Sequence, residues 1–326
     1  MEAARRIAYI NSVNKTANIL PQGDAGYAKA LEVLRGGGLA ALPTETVYGL
    51  AADASNDAAV AKVYALKGRP ARNPLIAHVL QADWAKDLAH IGPLAQSLMD
   101  AFWPGPLTLV LPRKDSGLSE RAGGWLPTIA VRCPDVEWAA AFIKGGWTSP
   151  LFMPSANLSG RISPTSAAHV AADFGARLDV IIDGGPCRGG IESTVLEVND
   201  DFAVMLRPGT IAAEDFAPHI SDLRLPQAAQ TLSAPGMLSS HYAPRAKVRL
   251  GAKTAGEGEA HLGFGSVKGD LNLSGAGDMI EAARNLYDFL RRLDQEGVRV
   301  IAVAPIPQTG LGQAINDRLK RAAAER

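Results

Sequence analysis

Lys67-Gly68-Arg69-Pro70-Ala71-Arg72-Asn73-Pro74-Leu75 reads as the end of a helix turning into the start of a strand. Just before it, Val60, Val63, Tyr64 and Leu66 recur at helical spacing, and Asp57 can cap the helix start. Gly68 and Pro70 stop the helix, and Leu75-Ile76-Ala77-His78-Val79-Leu80 reads as a buried strand. Lys67, Arg69 and Arg72 lie in a turn whose backbone proline fixes twice, which makes a candidate preorganised anion clamp. Basic residues at a helix C-terminus also offset the dipole, and the segment alone is consistent with that structural use. A second stretch, Pro154-Ser155-Ala156-Asn157, favours the clamp.

Working outward, helix and strand patterns alternate. Helices are expected at Ala25–Leu34, Pro93–Phe102, Val136–Ile143 and Ser166–Phe174. Strands are expected at Leu39–Pro43, Leu107–Leu111, Thr128–Arg132, Val180–Asp183 and Thr194–Val198. The alternation is α/β in character, but its order is irregular and some strands have short connections. A twisted mixed sheet with helices on one side is therefore expected, rather than a regular doubly wound fold. From about Ala212 to Pro244 the periodicity fades, through Leu225-Pro226-Gln227 and Ser233-Ala234-Pro235-Gly236, as a linker would. Regular pattern resumes with strands at Lys247–Leu250, His261–Phe264 and Val298–Ala302, a helix from Asp278 to Leu293 and a final helix from Leu311. A chain of 326 residues suits two domains, and the expected division is 1–217, a linker 218–245, and a smaller α/β domain 246–326.

Composition narrows the classes. With 33 basic and 33 acidic residues the net charge is zero, so no global field draws the chain to nucleic acid or anionic membrane, although a local basic groove is allowed. Cys133 and Cys187 are the only cysteines, which excludes a disulfide framework and a multi-cysteine zinc site and fits a reducing compartment. Met1–Ile7 runs into polar Asn11–Lys15 without the apolar core of a signal peptide, and no apolar run approaches membrane-spanning length. A soluble, cytoplasmic protein with no membrane partner is expected.

Walker, dinucleotide-fold, zinc-hydrolase and nucleophile-elbow motifs are all missing from the sequence. The polar clusters that remain each follow an apolar strand, where open α/β sheets bind ligands. Pro43-Thr44-Glu45-Thr46-Val47-Tyr48-Gly49-Leu50 could be a binding loop or a hydroxyl-rich helix cap. Arg132 closes the apolar strand Thr128–Arg132 and needs a partner, which a substrate carboxylate or a structural Asp or Glu would supply. Pro154 to Gly160 with Ser163-Pro164-Thr165 offers hydroxyls and amides for phosphate or ribose, or else forms Asx and Ser turns. The glycines of Asp183 to Val195 would let backbone N–H groups approach an anion, or mark a mobile hairpin. Arg207 is another lone Arg at a strand end. His78 alone reads as a core histidine, and both cysteines as unreactive.

Taken in order, Pro43–Leu50, Lys67-Gly68-Arg69-Pro70, Pro154-Ser155-Ala156-Asn157-Leu158-Ser159-Gly160 and Glu192-Ser193-Thr194-Val195 resemble the YrdC-type threonylcarbamoyl-adenylate synthases. Ala234-Pro235-Gly236-Met237 with His241-Tyr242-Ala243-Pro244 resembles the linker of the long, two-domain form, and Gly310 to Leu319 the end of its C-terminal domain. The resemblance implies a YrdC-type catalytic domain and a second, Rossmann-like α/β domain. It also implies a reaction of L-threonine, bicarbonate and ATP, with Mg2+, giving threonylcarbamoyl-adenylate and pyrophosphate. The product would feed threonylcarbamoyladenosine modification of tRNA through a downstream tRNA threonylcarbamoyl transferase. By the same resemblance, Lys67 and Arg69 would be catalytic, and would bind the ATP phosphates with Ser155 and Asn157. Asn73, Thr128, Ser163 and Arg207 would be further ATP contacts, with Tyr242 over the nucleotide. Thr46, His78, Arg132 and Ser193 would form the L-threonine site, Arg132 on the carboxylate and Met153 through its backbone; no protein metal ligand is implied. Leu238-Ser239-Ser240 stands where the family often has basic residues, which weakens any linker charge contact to phosphate. The alternatives are a carbamoyl-transfer enzyme of the hydrogenase-maturation type, whose zinc-binding Cys pairs this chain lacks, and a non-catalytic module binding tRNA or double-stranded RNA.

Overall fold

A computed structural model describes residues 17–226, 241–294 and 297–325. The N-terminal residues and the linker motif from Ala234 to Ser240 lie outside the described residues. The first half contains β1 (Ile19–Pro21), α1 (Asp24–Arg35), β2 (Ala40–Leu42), β3 (Gly49–Asp53), α2 (Asp57–Lys67), β4 (Ala77–His78), α3 (Ala85–Leu88), α4 (Pro93–Phe102), β5 (Leu107–Pro112) and β6 (Thr128–Arg132). There follow α5 (Trp138–Lys144), β7 (Leu151–Phe152), α6 (Ala167–Phe174), β8 (Val180–Asp183), β9 (Thr194–Val198), β10 (Ala203–Arg207) and β11 (Leu223–Arg224). The smaller unit has β12 (Lys247–Arg249), β13 (Glu259–Gly263), β14 (Leu271–Asn272), α7 (Met279–Leu293), β15 (Val300–Val303) and α8 (Leu311–Ala323).

The first eleven strands make one sheet, ordered β1-β8-β2-β3-β7-β4-β6-β5-β9-β10-β11. It is mixed: β4 runs parallel to β6 and antiparallel to β7, while β5 runs antiparallel to β6 and parallel to β9. Helices cover both faces, not one. Ala40 and Leu42 of β2 pack with α1 and α5, whereas Leu39 and Ala41 pack with α2, α4 and α6. Successive strand residues point to opposite faces, so a strand apolar at every position serves two layers. β11 falls inside the stretch read as linker, yet it pairs with β10 and extends this sheet.

The decisive turn forms as the chain chemistry requires. Asn56, one residue before Asp57, caps α2 by accepting the Ala59 N–H at 3.1 Å. Asp57 instead bonds Ser119 and Arg121 through its carboxylate. At the other end Gly68 adopts φ 59°, a left-handed conformation that glycine enters without a side-chain penalty, and it turns Arg69 back over the helix end. Only Ala77 and His78 of the apolar run that follows join the ladder, although the whole run is buried.

The second unit is a parallel four-stranded sheet, ordered β12-β15-β13-β14. Its core is continuous with the first unit, because Val47, Ile162 and Ile191 pack in one apolar cluster with Tyr242, Leu286, Tyr287 and Ile315. Arg291 of α7 pairs with Asp173 of α6 at 2.7 Å across this seam, and His169 faces Asp288 at 3.2 Å.

Candidate active site

Lys67, the last residue of α2, is buried, and its ammonium donates to the backbone carbonyls of Ser155 and Asn157, each at 2.5 Å. The Ser159 N–H donates back to the Lys67 carbonyl at 2.8 Å. The turn after α2 and the 155–159 loop are thereby locked together. Burial, and then the neighbouring Arg69 charge, hold the Lys67 pKa well below its ordinary value. Arg69 folds over its own turn, donating to the Asn73 side chain at 2.7 Å and to the Asn73 and Pro74 carbonyls. Burial lowers its pKa to about 10, with Tyr64 and Tyr242 opposing and Arg207 reinforcing. Buried Asn73 Nδ2 and Asn157 Oδ1 have no partner among the described residues. Arg72 is exposed.

The second wall comes from β9, β10 and the segment after the linker. Arg207 ends β10 and donates to the Ser193 carbonyl at 2.9 Å and to its hydroxyl at 3.1 Å. Ser163 donates to the Glu192 carboxylate at 2.6 Å. Burial works against a charge on Glu192, but Arg318, Arg207 and the Ser163 bond outweigh it and bring the pKa down to about 2. Tyr242 takes φ 61° and is buried with its hydroxyl unpartnered among the described residues, its ring stacked on Tyr287. Beside it His241 is pushed down to about 3 by burial, with Glu192 opposing and Arg69, Lys67 and Arg207 reinforcing. Lys67, Arg69, Arg207, Glu192 and the His241–Tyr242 pair therefore share one electrostatic neighbourhood.

The third part lies at the ends of β4 and β6. His78 and Arg132 are register partners. Arg132 is buried and donates to Thr46 Oγ1 at 3.0 Å, and it pairs with Glu45 at 2.7 Å. The acidic partner left open by the sequence is thus Glu45. Its other carboxylate oxygen is buried and unpartnered among the described residues. His78 Nδ1 sits 3.1 Å from the Ile76 carbonyl, which puts the ring proton there and leaves Nε2 as an acceptor. Burial, then the Arg132 charge, lower its pKa to about 3, so the ring is neutral. The Met153 side chain packs in the α1–α5 core, while its N–H donates to the Ile76 carbonyl at 3.3 Å.

Ser193 bonds both Arg207 and Thr108, so it joins the second wall more directly than it joins Arg132. Thr128 begins β6, at the end of the strand opposite Arg132, and is half-buried. Both cysteine thiols are raised by burial, to about 11 for Cys133 and about 12 for Cys187, which keeps them protonated. Three glycines of the 183–195 loop, Gly184, Gly189 and Gly190, serve close packing: Gly189 donates to the Glu45 carbonyl at 2.7 Å, and Gly190 lies against α7. Sequence reading assigned no role to Glu45, Glu192, His241, Tyr287 or Arg318. All but Tyr287 sit within stretches quoted for the resemblance, and the missing signal was their pairing. Among the described residues there is no group of three or more His, Cys, Asp or Glu that could hold a metal ion.

Buried cations, hydroxyls and amides at the strand ends of a mixed sheet give this α/β protein a candidate anion-binding site. A family model described as Telomere recombination, for Sua5, YciO and YrdC proteins, matches residues 32–209. A second, described as Threonylcarbamoyl-AMP synthase, C-terminal domain, matches residues 210–324. The chain belongs to the Sua5/YciO/YrdC family, in its long two-domain form. It is 39% identical to threonylcarbamoyl-AMP synthase of Bacillus subtilis, over 94% of this chain and 95% of that protein. It is 42% identical to the Pyrococcus abyssi protein of the same name, over 90% and 92% respectively. The crystal structure of P. abyssi Sua5 complexed with L-threonine superposes with a TM-score of 0.85 at 37% identity, covering 94% of this chain and 97% of that one.

Proposed function

We propose that this chain is an L-threonylcarbamoyladenylate synthase, making threonylcarbamoyl-AMP and pyrophosphate from L-threonine, bicarbonate and ATP. One observation carries the reading. Three cations, Lys67, Arg69 and Arg207, share a neighbourhood with Tyr242, where buried polar atoms of Asn73, Asn157 and Tyr242 have no partner among the described residues, and a separate Arg132–Thr46–His78 group lies at the neighbouring strand ends. The first group suits a triphosphate and the second an amino acid. Family membership across nearly the whole chain points the same way.

In this reading Arg69 and Arg207 face the phosphates, and Lys67 fixes the 155–159 loop whose Ser155 and Asn157 contact them. Asn73, Thr128 and Ser163 complete the nucleotide site, and Tyr242 closes it. Arg132 takes the threonine carboxylate, and neutral His78 and Thr46 offer hydrogen bonds to the rest of the substrate. The Ser193 hydroxyl and Met153 backbone border it. Protonated bicarbonate loses water to give CO2; the threonine amine adds to the CO2 carbon and sheds a proton, forming the carbamate; a carbamate oxygen then attacks the α-phosphorus, and pyrophosphate leaves. Positioning and charge neutralisation do the work, with no covalent enzyme intermediate. Mg2+ enters with ATP as part of that substrate and neutralises phosphate charge. The product passes to a downstream tRNA threonylcarbamoyl transferase, with at most weak tRNA or double-stranded RNA binding by this neutral chain. Two buried, protonated cysteines fit a cytoplasmic location, and among the described residues no helix is long and apolar enough to cross a membrane.

The test is pyrophosphate release from ATP with threonine and bicarbonate each omitted in turn. Release should require both. Release independent of either defeats the reading.

A further inference from the structure

Arg318 of α8 is among the most deeply buried side chains of the chain, with 1% of its surface exposed, although it belongs to the smaller C-terminal unit. Its guanidinium spans two points of the larger unit. Nε donates to Glu192 at 2.8 Å, and Nη1 donates to the Pro208 carbonyl at 2.8 Å. Glu192 immediately precedes Ser193, and Pro208 immediately follows Arg207. Arg318 thus grips both outer ends of the Ser193–Arg207 contact. Through Glu192 it also holds Ser163, whose hydroxyl donates to the same carboxylate at 2.6 Å. Tyr287, also from the C-terminal unit, adds a bond to Glu192 at 2.9 Å. Ser163 of the larger unit, and Tyr287 and Arg318 of the C-terminal unit, all donate to Glu192.

Charge makes the same demand. A buried carboxylate beside a triphosphate site repels the ligand unless a fixed cation offsets it. Arg318 pairs with that carboxylate directly and Arg207 adds to the offset, and Asp317 braces Arg318 at 2.8 Å.

We propose that Arg318 is a positioning residue for the nucleotide half of the active site, so that the C-terminal unit builds ATP affinity through the Glu192–Arg318–Pro208 bridge. This rests on the synthase reading above. Arg132, Thr46 and His78 are placed by β4, β6 and the loop before β3, and Arg318 donates to none of them but reaches the threonine side through Ser193 at its border, so threonine binding should depend on it much less than ATP binding does.

The test measures ATP and L-threonine dissociation constants separately, by calorimetry on the full chain, for the wild type, R318K and R318M. R318K keeps the charge, but a single ammonium cannot reproduce the planar two-point grip. ATP affinity should fall about tenfold or more in R318K, and further in R318M, with threonine affinity changing less than about threefold. Thermal melting is recorded alongside, and R318K carries the test alone if R318M does not fold. ATP affinity unchanged in R318K, or ATP and threonine affinities falling in equal proportion, overturns the proposal. Wild-type pyrophosphate release serves as the separate control. If wild type binds ATP but releases no threonine-dependent pyrophosphate, the synthase reading fails and takes this assignment of the site with it. If wild type performs the reaction and R318K matches it in ATP affinity, only the bridge fails.

Discussion

At the scale of single residues, the cations of the site differ in how fully protein groups occupy them. The Lys67 ammonium is committed to two carbonyls at 2.5 Å, so under the proposed function it would act on phosphate through the shape of the 155–159 loop. The Arg132 guanidinium shares Nη2 between Glu45 and Thr46 and gives Nε to Gly105, while Nη1 takes no partner among the described residues. Truncating the two should therefore damage different substrates. Lys67→Ala should cost roughly 2–4 kcal/mol of transition-state stabilisation, read as a loss in kcat/KM for ATP. Arg132→Ala should raise the KM for threonine far more than the KM for ATP. Steady-state kinetics with each substrate varied in turn checks both, and a matched rise of the two KM values in either variant contradicts the division.

At the scale of elements, what the sequence revealed depended on how local the cause was. Pro93–Phe102, Thr128–Arg132, Val180–Asp183 and Thr194–Val198 form with the bounds their residue patterns predict, because proline, apolar runs and turn residues act within a few positions. β1, β11 and β14 are two or three residues long and exist only through a neighbour supplied by the fold, so no local pattern marks them. The same limit governs the site. Lys67, Arg69, Asn73, Ser155 and Asn157 were visible as a polar set, but the bond joining Glu192 to Arg318 spans 126 positions. The loop before β9 shows the point in one residue. Gly190 has φ 75°, and a Cβ there would lie 2.4 Å from the Ala283 carbonyl and the Arg284 Cα of α7. Its glycine is needed so that the α7 backbone can approach. Gly190→Ala should push α7 away and lower stability by about 2 kcal/mol or more, through strain and loosened packing at the seam. Denaturant unfolding measures this, and a variant as stable as wild type would show that α7 does not rest on the loop.

At the scale of the whole molecule, the seam ties folding of the two units to the ionisation of groups in the active site. His78 and His241 have folded pKa values near 3 against 6.5 in the unfolded chain. The unfolded chain therefore takes up protons that the folded chain refuses, and stability drops as pH falls from 6.5 towards 3. Glu192 is held near 2 against 4.5 unfolded, so its contribution is complete above pH 4.5 and is lost as pH falls towards 2. The signs agree, and acid removes both contributions. By pH 4.5 the two histidines together should withdraw roughly 5 kcal/mol, comparable with the whole stability of an ordinary domain. His241 and Glu192 both lie where the larger unit meets α7 and α8, within or beside an apolar cluster drawn from both units. The melting temperature should accordingly fall steeply as pH drops below 6.5, with both units unfolding in one calorimetric transition at each pH. A chain in which both histidines are replaced by Gln should lose most of the limb between pH 6.5 and 4.5 while keeping the part that Glu192 sets below 4.5. Two resolved transitions, or a melting temperature unmoved down to pH 4.5, would show that the buried seam does not couple the units.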